Sequence, residues 1–499
     1  MSDMFIDLTA PNGLLYTQPT GLFINNAFVR SKSGEMISSI NPVNQEEIVS
    51  VSAASADDVD MAVQAARTAL SDPSWKSMSS SSRGVLMNEL ANLIEKNKTI
   101  LAVIESWDNG KPFMAALNDD LEEVIGTFRY YAGWADKIHG ETTSGPVSSK
   151  KLAYTVREPV GVVGQIIPWN FPLAMAAMKL APALACGNTI VIKAAEQTPL
   201  SILYLATLIQ KAGFPPGVIN ILNGPGGVTG SSLVTHPHVD MIAFTGSTVT
   251  GKEIMRLAAG TMKRILLETG GKSPLIVFED ADLEQAAKWA CFGSMYNQGQ
   301  ICTATSRILV QKQIMGRFTD LLKQAVDTIK VGDPFRDDTS QGPQISKAQF
   351  DRVLNYIDIG NADGATVVAG GTAIPGKGLY IEPTIFTDVD ENMSIWKDEI
   401  FGPVVVVKSF TSEQEAAKSA NNSMYGLGAA VFTKDIQRAH RFAGEIAAGT
   451  IWINSSNDGD VRVPFGGMKQ SGIGCELGEE GLRAYYQTKA VHINIGNII

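Results

Sequence analysis

Cys302 follows the polar turn Asn297-Gln298-Gly299-Gln300-Ile301 and precedes the apolar run Ile308-Leu309-Val310. A thiol at such a junction can meet both a substrate and backbone N–H groups, and both favour a reactive thiolate. A second stretch with chemical potential, Glu268-Thr269-Gly270-Gly271-Lys272-Ser273-Pro274, begins 34 positions upstream. It sets a carboxylate beside two glycines that let backbone approach a ligand closely. A nucleophile and a base point to covalent catalysis without saying of which kind. Three further segments could hold a ligand. Phe244-Thr245-Gly246-Ser247-Thr248-Val249-Thr250-Gly251 follows a strand and opens a helix, which suits a pyrophosphate, although Gly-Ser turns also occur there for steric reasons. Lys193-Ala194-Ala195-Glu196 offers a donor and an acceptor for ribose hydroxyls, or a surface ion pair. In Ile167-Pro168-Trp169-Asn170-Phe171-Pro172 two prolines fix the backbone around Asn170, as a rigid amide donor requires.

These groups need elements to position them. Apolar spacing predicts helices over Val59–Ala66, capped by Asp57-Asp58, over Val85–Glu95 and over Leu121–Trp134. The Phe128, Tyr131 and Trp134 face reads as core packing. From Gly161 the pattern alternates, with strands at Val162–Ile167, Thr189–Lys193, Val218–Leu222 and Met241–Phe244, each leading into a turn or helix. Such β–α units build a parallel sheet covered on both faces, whose ligands sit at the carboxyl ends of the strands. A second α/β series starts near Ser273, with Leu275–Phe278, Ile308–Val310 and Val404–Val407 as strands. Ala153–Val156 and Ala490–Ile495 stand outside both series, as interface strands or as edges.

At 499 residues the chain is too long for one core, so two or three domains are expected. Its 44% hydrophobic and 18% charged residues are those of a soluble globular protein. The net charge of −10, with no segregated basic patch, excludes nucleic acid as the expected partner. Cys186, Cys291, Cys302 and Cys475 have neither a disulfide framework nor metal-ligand spacing, so a reducing compartment and no metal are expected. The acidic start at Met1–Asp7 lacks the basic region of a secretory signal, and Asn497-Ile498-Ile499 is no peroxisomal address. The most membrane-like stretch, Phe171–Cys186, is short and interrupted by Pro172, Lys179 and Pro182. The cytosol is the expected location.

Together the segments resemble the NAD(P)-dependent aldehyde dehydrogenase superfamily, from about Leu22 to Tyr486. Glu399-Ile400-Phe401-Gly402-Pro403 and Pro464-Phe465-Gly466-Gly467-Met468 supply two more of its signatures. The wording around Cys302 and at Tyr425–Ala429 is most similar to fungal cytosolic aldehyde dehydrogenases. The resemblance implies an α/β protein with a Rossmann-like NAD-binding domain (20–139 and 160–270) and a second α/β catalytic domain (271–470). It also implies a small β element (140–159 and 480–499) that joins subunits into a homodimer or homotetramer. It further implies oxidation of an aldehyde to the acid. Cys302 attacks the carbonyl, Asn170 and the Cys302 N–H hold the oxyanion, hydride passes to the nicotinamide, and Glu268 activates water against the thioester. Lys179 and Glu476 complete the implied catalytic set. Ile166, Ile167, Pro168, Trp169, Lys193, Glu196, Gly226, Gly230, Phe244, Gly246 and Ser247 are the implied cofactor contacts, together with Thr269, Gly270, Gln349, Arg352, Glu399 and Phe401. No valine stands at position 250, which is Thr250, so no cofactor contact is expected there. NAD is expected over NADP, because Glu196 would repel a 2′-phosphate while Lys193 offsets part of that repulsion.

Two other readings stand beside this one. In a coenzyme-A-acylating relative a thiol resolves the thioester, but such relatives generally lack a base where Glu268 stands. A catalytically silent structural or binding member would not need Cys302, Glu268 and Asn170 intact. The expected pocket walls are Phe171, Ala174, Met178, Tyr296, Ile301, Thr303, Asn457, Gly459 and Phe465. Relatives acting on small aldehydes often carry rings where Met178 and Gly459 stand, and leucine in place of Ala174. A wide apolar pocket for a bulky, aromatic or terpenoid-like aldehyde is therefore expected. Neighbouring loops refilling the space, or Glu123 narrowing the entrance, is the alternative.

Overall fold

A computed structural model describes residues 4–143 and 150–496. Met1–Asp3 and Asn497–Ile499, read above for targeting signals, lie outside the described residues, as do 144–149 of the expected subunit-joining segment. Two sheets organise the chain. The first has a parallel centre in the spatial order Ile219–Leu222, Thr189–Lys193, Val162–Ile166, Met241–Thr245, Arg264–Glu268. The chain moves outward twice from Val162–Ile166, then returns to its other side at Met241. The topological switch therefore lies between Val162–Ile166 and Met241–Thr245, where a crevice opens beyond the carboxyl ends. Leu22–Ile24, itself edged by Ala27–Val29, and Gly472–Ile473 flank this centre as antiparallel neighbours, the latter pairing Gly472 with Glu268.

The second sheet runs Thr366–Ala369, Thr384–Thr387, Val404–Phe410, Arg307–Gln311, Pro274–Val277, Gly428–Phe432, Thr450–Ile453, parallel except for its first pair. Residues 269–273 alone separate the last parallel strand of the first sheet, ending at Glu268, from Pro274–Val277 of the second. The carboxyl ends of one sheet thus face the amino ends of the other. Both strand sets are apolar on both faces, as helix-covered parallel strands must be.

The helices follow their sequence signals, with one correction. Ser55, rather than Asp57 or Asp58, caps Ala56–Ser71, and Asp58 returns the bond to the Ser55 backbone in a capping box. Asp58 is also held by Ser31 and the Lys32 N–H, which tie the entry arm to the helix. Leu121–Trp134 extends a single π-turn, Ala116–Asp120, with Phe128 and Tyr131 buried and Trp134 packed at the core's edge. The membrane-like stretch is the helix Pro172–Ala185, buried nearly all round between its neighbours. No helix of the described residues is long and apolar enough to cross a membrane.

Arg307 opens its strand fully buried, and its guanidinium donates to the carbonyls of Lys272, Ser419, Ala420 and Asn422. One planar fork thereby fixes the segment after Cys302 against the one after Glu268. Of the strands outside both main sheets, the two expected at Ala153–Val156 and Ala490–Ile495 are longer than expected. Lys151–Pro159 pairs antiparallel with Tyr486–Asn494 over nine residue pairs, from Pro159 with Tyr486 to Lys151 with Asn494.

Candidate active site

The strand termini put Glu268 where the two sheets meet, and two glycines bring its neighbours in. A Cβ on Gly270 would lie 2.3 Å from the Glu399 carboxylate, and one on Gly271 would lie 2.3 Å from the Cys302 carbonyl oxygen. Only bare backbone fits between them. Glu268 is 2% exposed, and neither of its carboxylate oxygens has a hydrogen-bond partner. Burial raises it to about 7, with Glu476 adding to the rise while Lys179, the Cys302 thiol and the Thr245 hydroxyl oppose it. A carboxylate near neutrality with free lone pairs is suited to taking a proton.

Cys302 sits after an unusual turn in which Asn297, Gln298 and Gly299 all adopt positive φ, at 50°, 59° and 70°. Asn297 stabilises it by donating to the carbonyls of Asn170 and Gln300, and Gln344 donates to that of Gln298. The thiol departs from the sequence expectation of a ready thiolate. Burial and then the neighbouring Glu268 carboxylate raise it well above its usual value, so it rests protonated. Asn170 is likewise more constrained than expected. It is buried, its side-chain nitrogen donates to the Gln300 carbonyl at 2.9 Å, and its own carbonyl accepts from Asn297. One of its two amide hydrogens remains for a ligand. Lys179 and Glu476 form a fully buried ion pair, with one Glu476 oxygen unpartnered. Glu476 also holds Phe465 through two backbone hydrogen bonds of 2.7 Å.

One cavity of about 550 Å³ joins these groups. Cys302, Glu268 and Asn170 line it, as do all nine expected wall residues. Of the expected cofactor set it touches Pro168, Trp169, Gly246, Ser247, Gly270, Gln349, Arg352, Glu399 and Phe401. Ile166, Ile167, Phe244, Thr269, Lys193, Glu196, Gly226 and Gly230 lie outside it. Phe244 pairs with Ile166 in the adjacent strand, and Lys193 ends the strand on the far side of Ile166, in register with Ile166 and Leu222. Gly226 and Gly230 bound a single π-turn, and a Cβ on Gly230 would approach the Lys193 side chain at 3.8 Å. The Ser247 hydroxyl caps Thr248–Ala258, leaving the helix start for an anion. No cofactor contact is expected at position 250. Thr250 lies outside the cavity and serves the cap, its N–H donating to the Ser247 hydroxyl at 3.2 Å and its own hydroxyl sharing a 2.8 Å hydrogen bond with it.

These residues fit a dinucleotide. Lys193 is buried, with its ammonium donating only to the Ala194 carbonyl, and burial lowers it to about 8 against the pull of Glu196. Glu399 accepts the Gly271 N–H at 2.9 Å, and burial raises it to about 7. Its loop is anchored by Arg352 on the Glu399 carbonyl and Gln349 on that of Phe401. Phe401 meets Trp169 edge-to-face at 5.3 Å. Asn109 donates to the Trp169 carbonyl at 2.6 Å, a contact from a distant helix that sequence spacing does not reveal.

Sequence reasoning also misses Phe292, Trp452, Leu477, Asp119 and Asp120 among the cavity walls. Phe292 carries a signal, one helical turn before Tyr296. Trp452 carries none, since its ring arrives from the second sheet.

Residues 28–491 match the Aldehyde dehydrogenase family. The chain is 51% identical to an aldehyde dehydrogenase of Emericella nidulans, covering all of both chains. It is 50% identical to human retinal dehydrogenase 2 over 98% of its length and 94% of the relative's. An NAD+ complex of the Bacillus cereus aldehyde dehydrogenase superposes with a TM-score of 0.94 at 49% identity, covering 96% of this chain and 97% of that one. The chain belongs to the aldehyde dehydrogenase family and has its fold. It is an NAD-dependent aldehyde dehydrogenase.

The resting state of the thiol is open to measurement. Replacing Glu268 by Gln removes the carboxylate that holds the thiol protonated, so alkylation of Cys302 by iodoacetamide should reach half its maximal rate at lower pH. Peptide mass spectrometry separates Cys302 from the exposed Cys475. An unchanged pH midpoint would show that Glu268 does not govern the thiol.

Proposed function

We propose that the chain oxidises a bulky, largely apolar aldehyde to its acid through a covalent adduct on Cys302, in the cytosol and as a homo-oligomer. The observation that carries the reading is the shared cavity, in which a protonated thiol, an unpartnered carboxylate near neutrality and a half-free amide converge. Glu268 takes the thiol proton as sulfur bonds to the carbonyl carbon and the carbonyl electron pair moves to oxygen. The spare Asn170 N–H and the Cys302 N–H hold that oxyanion. NAD, when bound, supplies the acceptor for the hydride that leaves the adduct. Glu268 passes the thiol's proton on, by way of the unpartnered Glu476 oxygen, to solvent, then takes a proton from water as oxygen attacks the resulting thioester, and the thiolate departs. Lys179 and Glu476 act on Glu268 by charge, and the unpartnered Glu476 oxygen offers its proton a next acceptor.

Lys193 and Glu196 suit the adenosine ribose and Glu399 the nicotinamide ribose, with the Glu196 carboxylate disfavouring a 2′-phosphate. Cys302→Ala should abolish NADH formation, and wild-type kcat/KM should fall as pH drops below about 7, where Glu268 gains its proton. Lys179→Met removes a charge that favours the carboxylate, so that acid limb should move to higher pH. A limb that stays in place would remove Lys179 from the mechanism.

Support for a bulky substrate comes from the walls. Met178 and Ala174 line the cavity from the buried helix, and nothing lies within 4 Å of a Cβ built on Gly459. The relative named retinal dehydrogenase 2 agrees with a large apolar substrate. Trp452 and Phe292 refill part of the space but leave the cavity open. Gly459→Phe should lower kcat/KM for a large aromatic aldehyde by roughly tenfold or more while affecting acetaldehyde far less. Equal losses for both would refute the wide pocket.

Subunit association rests on the pair Lys151–Pro159 and Tyr486–Asn494, because an isolated two-stranded sheet is marginal in water and gains by docking on a neighbour. Sedimentation should give a species of two or four chains, and a 53.4 kDa particle alone would refute it.

A further inference from the structure

Asn170 offers an oxyanion one amide hydrogen, and its direction depends on residues 167–171, which belong to no strand or helix. The helix that follows, Pro172–Ala185, starts at Phe171 without a side-chain cap. What holds this stretch comes from another helix, Lys98–Asn109, whose last residue stands 60 positions before Trp169. Glu105 and Asn109, four apart on that helix, share one face. Glu105 is fully buried and accepts the Leu173 N–H at 3.2 Å, so it supplies from outside the cap that the helix start lacks. Asn109 is also fully buried. Its side-chain nitrogen donates to the Trp169 carbonyl at 2.6 Å and reaches the Asn170 carbonyl at 3.5 Å. Both partners are carbonyls, so the nitrogen of this amide must face them and its oxygen must not.

The mount of Asn109 is rigid. Its neighbour Asp108 accepts the Leu200 N–H at 2.9 Å and the Ser39 hydroxyl hydrogen. Gly110 ends the helix with a φ of 87°, and a Cβ there would lie 2.8 Å from Pro42 and 3.0 Å from Pro343. A Cβ on Gly342 would lie 1.8 Å from the Gly110 carbonyl oxygen. The segment after Gly342 also holds the turn ahead of Cys302. The Ile345 N–H donates to the Gln300 side chain at 3.1 Å, and Gln344 donates to the Gln298 carbonyl at 3.2 Å. Asn109 and that turn thus share one support, and both reach Asn170. Asn109 and Asn297 meet its carbonyl, while the Gln300 carbonyl takes one of its amide hydrogens.

We infer that Asn109 is a positioning residue of the oxidation: by fixing the Trp169 carbonyl and the Asn170 backbone, it aims the free Asn170 N–H at the developing oxyanion. Asn109 lies outside the cavity and acts only through Asn170. A donor set for the transition state loses most of its effect when displaced by about 1 Å. The inference rests on the aldehyde-oxidation reading above and adds to it a residue that touches neither substrate nor cofactor.

The test follows a single turnover of NADH formation with NAD and acetaldehyde both saturating. Asn109→Ala should slow it roughly tenfold or more. Alkylation of Cys302 by iodoacetamide builds no oxyanion, so its rate should stay at the wild-type value. In an Asn170→Ala background the same change at Asn109 should cost little more, because the amide it aims is gone. Asn109→Leu, of similar shape but without a donor, should repeat all three results and serves if the alanine variant fails to fold. Wild-type turnover in a folded variant overturns the inference. So does an equal loss with and without Asn170, or alkylation that falls in step with turnover. Each of these outcomes leaves aldehyde oxidation standing, whereas no NADH from the wild-type enzyme with any aldehyde sinks both.

Discussion

Everything at the site depends on how closely two backbone segments can pass. Gly270 and Gly271 lie between the Glu399 carboxylate and the Cys302 carbonyl at distances no side chain could share. This steric clamp makes the end of one sheet and the beginning of the other a single chemical unit. Ser471 secures it, donating its hydroxyl hydrogen to the Gly270 carbonyl at 2.7 Å and accepting the Gly426 N–H at 2.9 Å. Arg307 secures it from the opposite side through four carbonyls. A methyl group at either glycine would push the base away from the thiol before it touched any ligand.

The clamp also explains the electrostatics. Crowding Glu268, Glu399 and Cys302 at one junction lined by protein disfavours every charged form, so both carboxyls rise to about 7 and the thiol rises further. The thiol therefore rests protonated beside a carboxyl poised near neutrality to take that proton. Attack on a carbonyl then moves one proton over a short path and creates negative charge only where the Asn170 amide and backbone N–H groups already point. A thiolate exposed at rest would oxidise or react with unrelated electrophiles.

Much of this is legible in the sequence, because strands, turns and motif residues are local. The parallel sheet and its ligand-bearing carboxyl ends follow from the β–α alternation, although the strand order that sets the switch does not, and the nine expected wall residues lie beside motif residues that fold with them. What the sequence hides depends on distant surfaces. Trp452 comes from the second sheet, Asn109 reaches Trp169 from a separate helix, and Arg307 reads as the end of a motif until its four carbonyl partners appear. The resting state of the thiol is hidden for the same reason, since burial cannot be seen in residue spacing. Ser55 is a less obvious cap than Asp57 or Asp58, yet its hydroxyl stands at the residue where the backbone leaves its extended conformation.

The short strand Gly472–Ile473 carries a consequence for how the protein is made. It covers the outer edge of Arg264–Glu268, and its neighbour Ser471 holds Gly270, yet both leave the ribosome long after that strand. During synthesis the strand bearing the base waits with an open edge, a template for pairing with other nascent chains. Chaperone occupancy should therefore persist on this nascent chain until residues 471–473 have emerged, and the site comes into being only then.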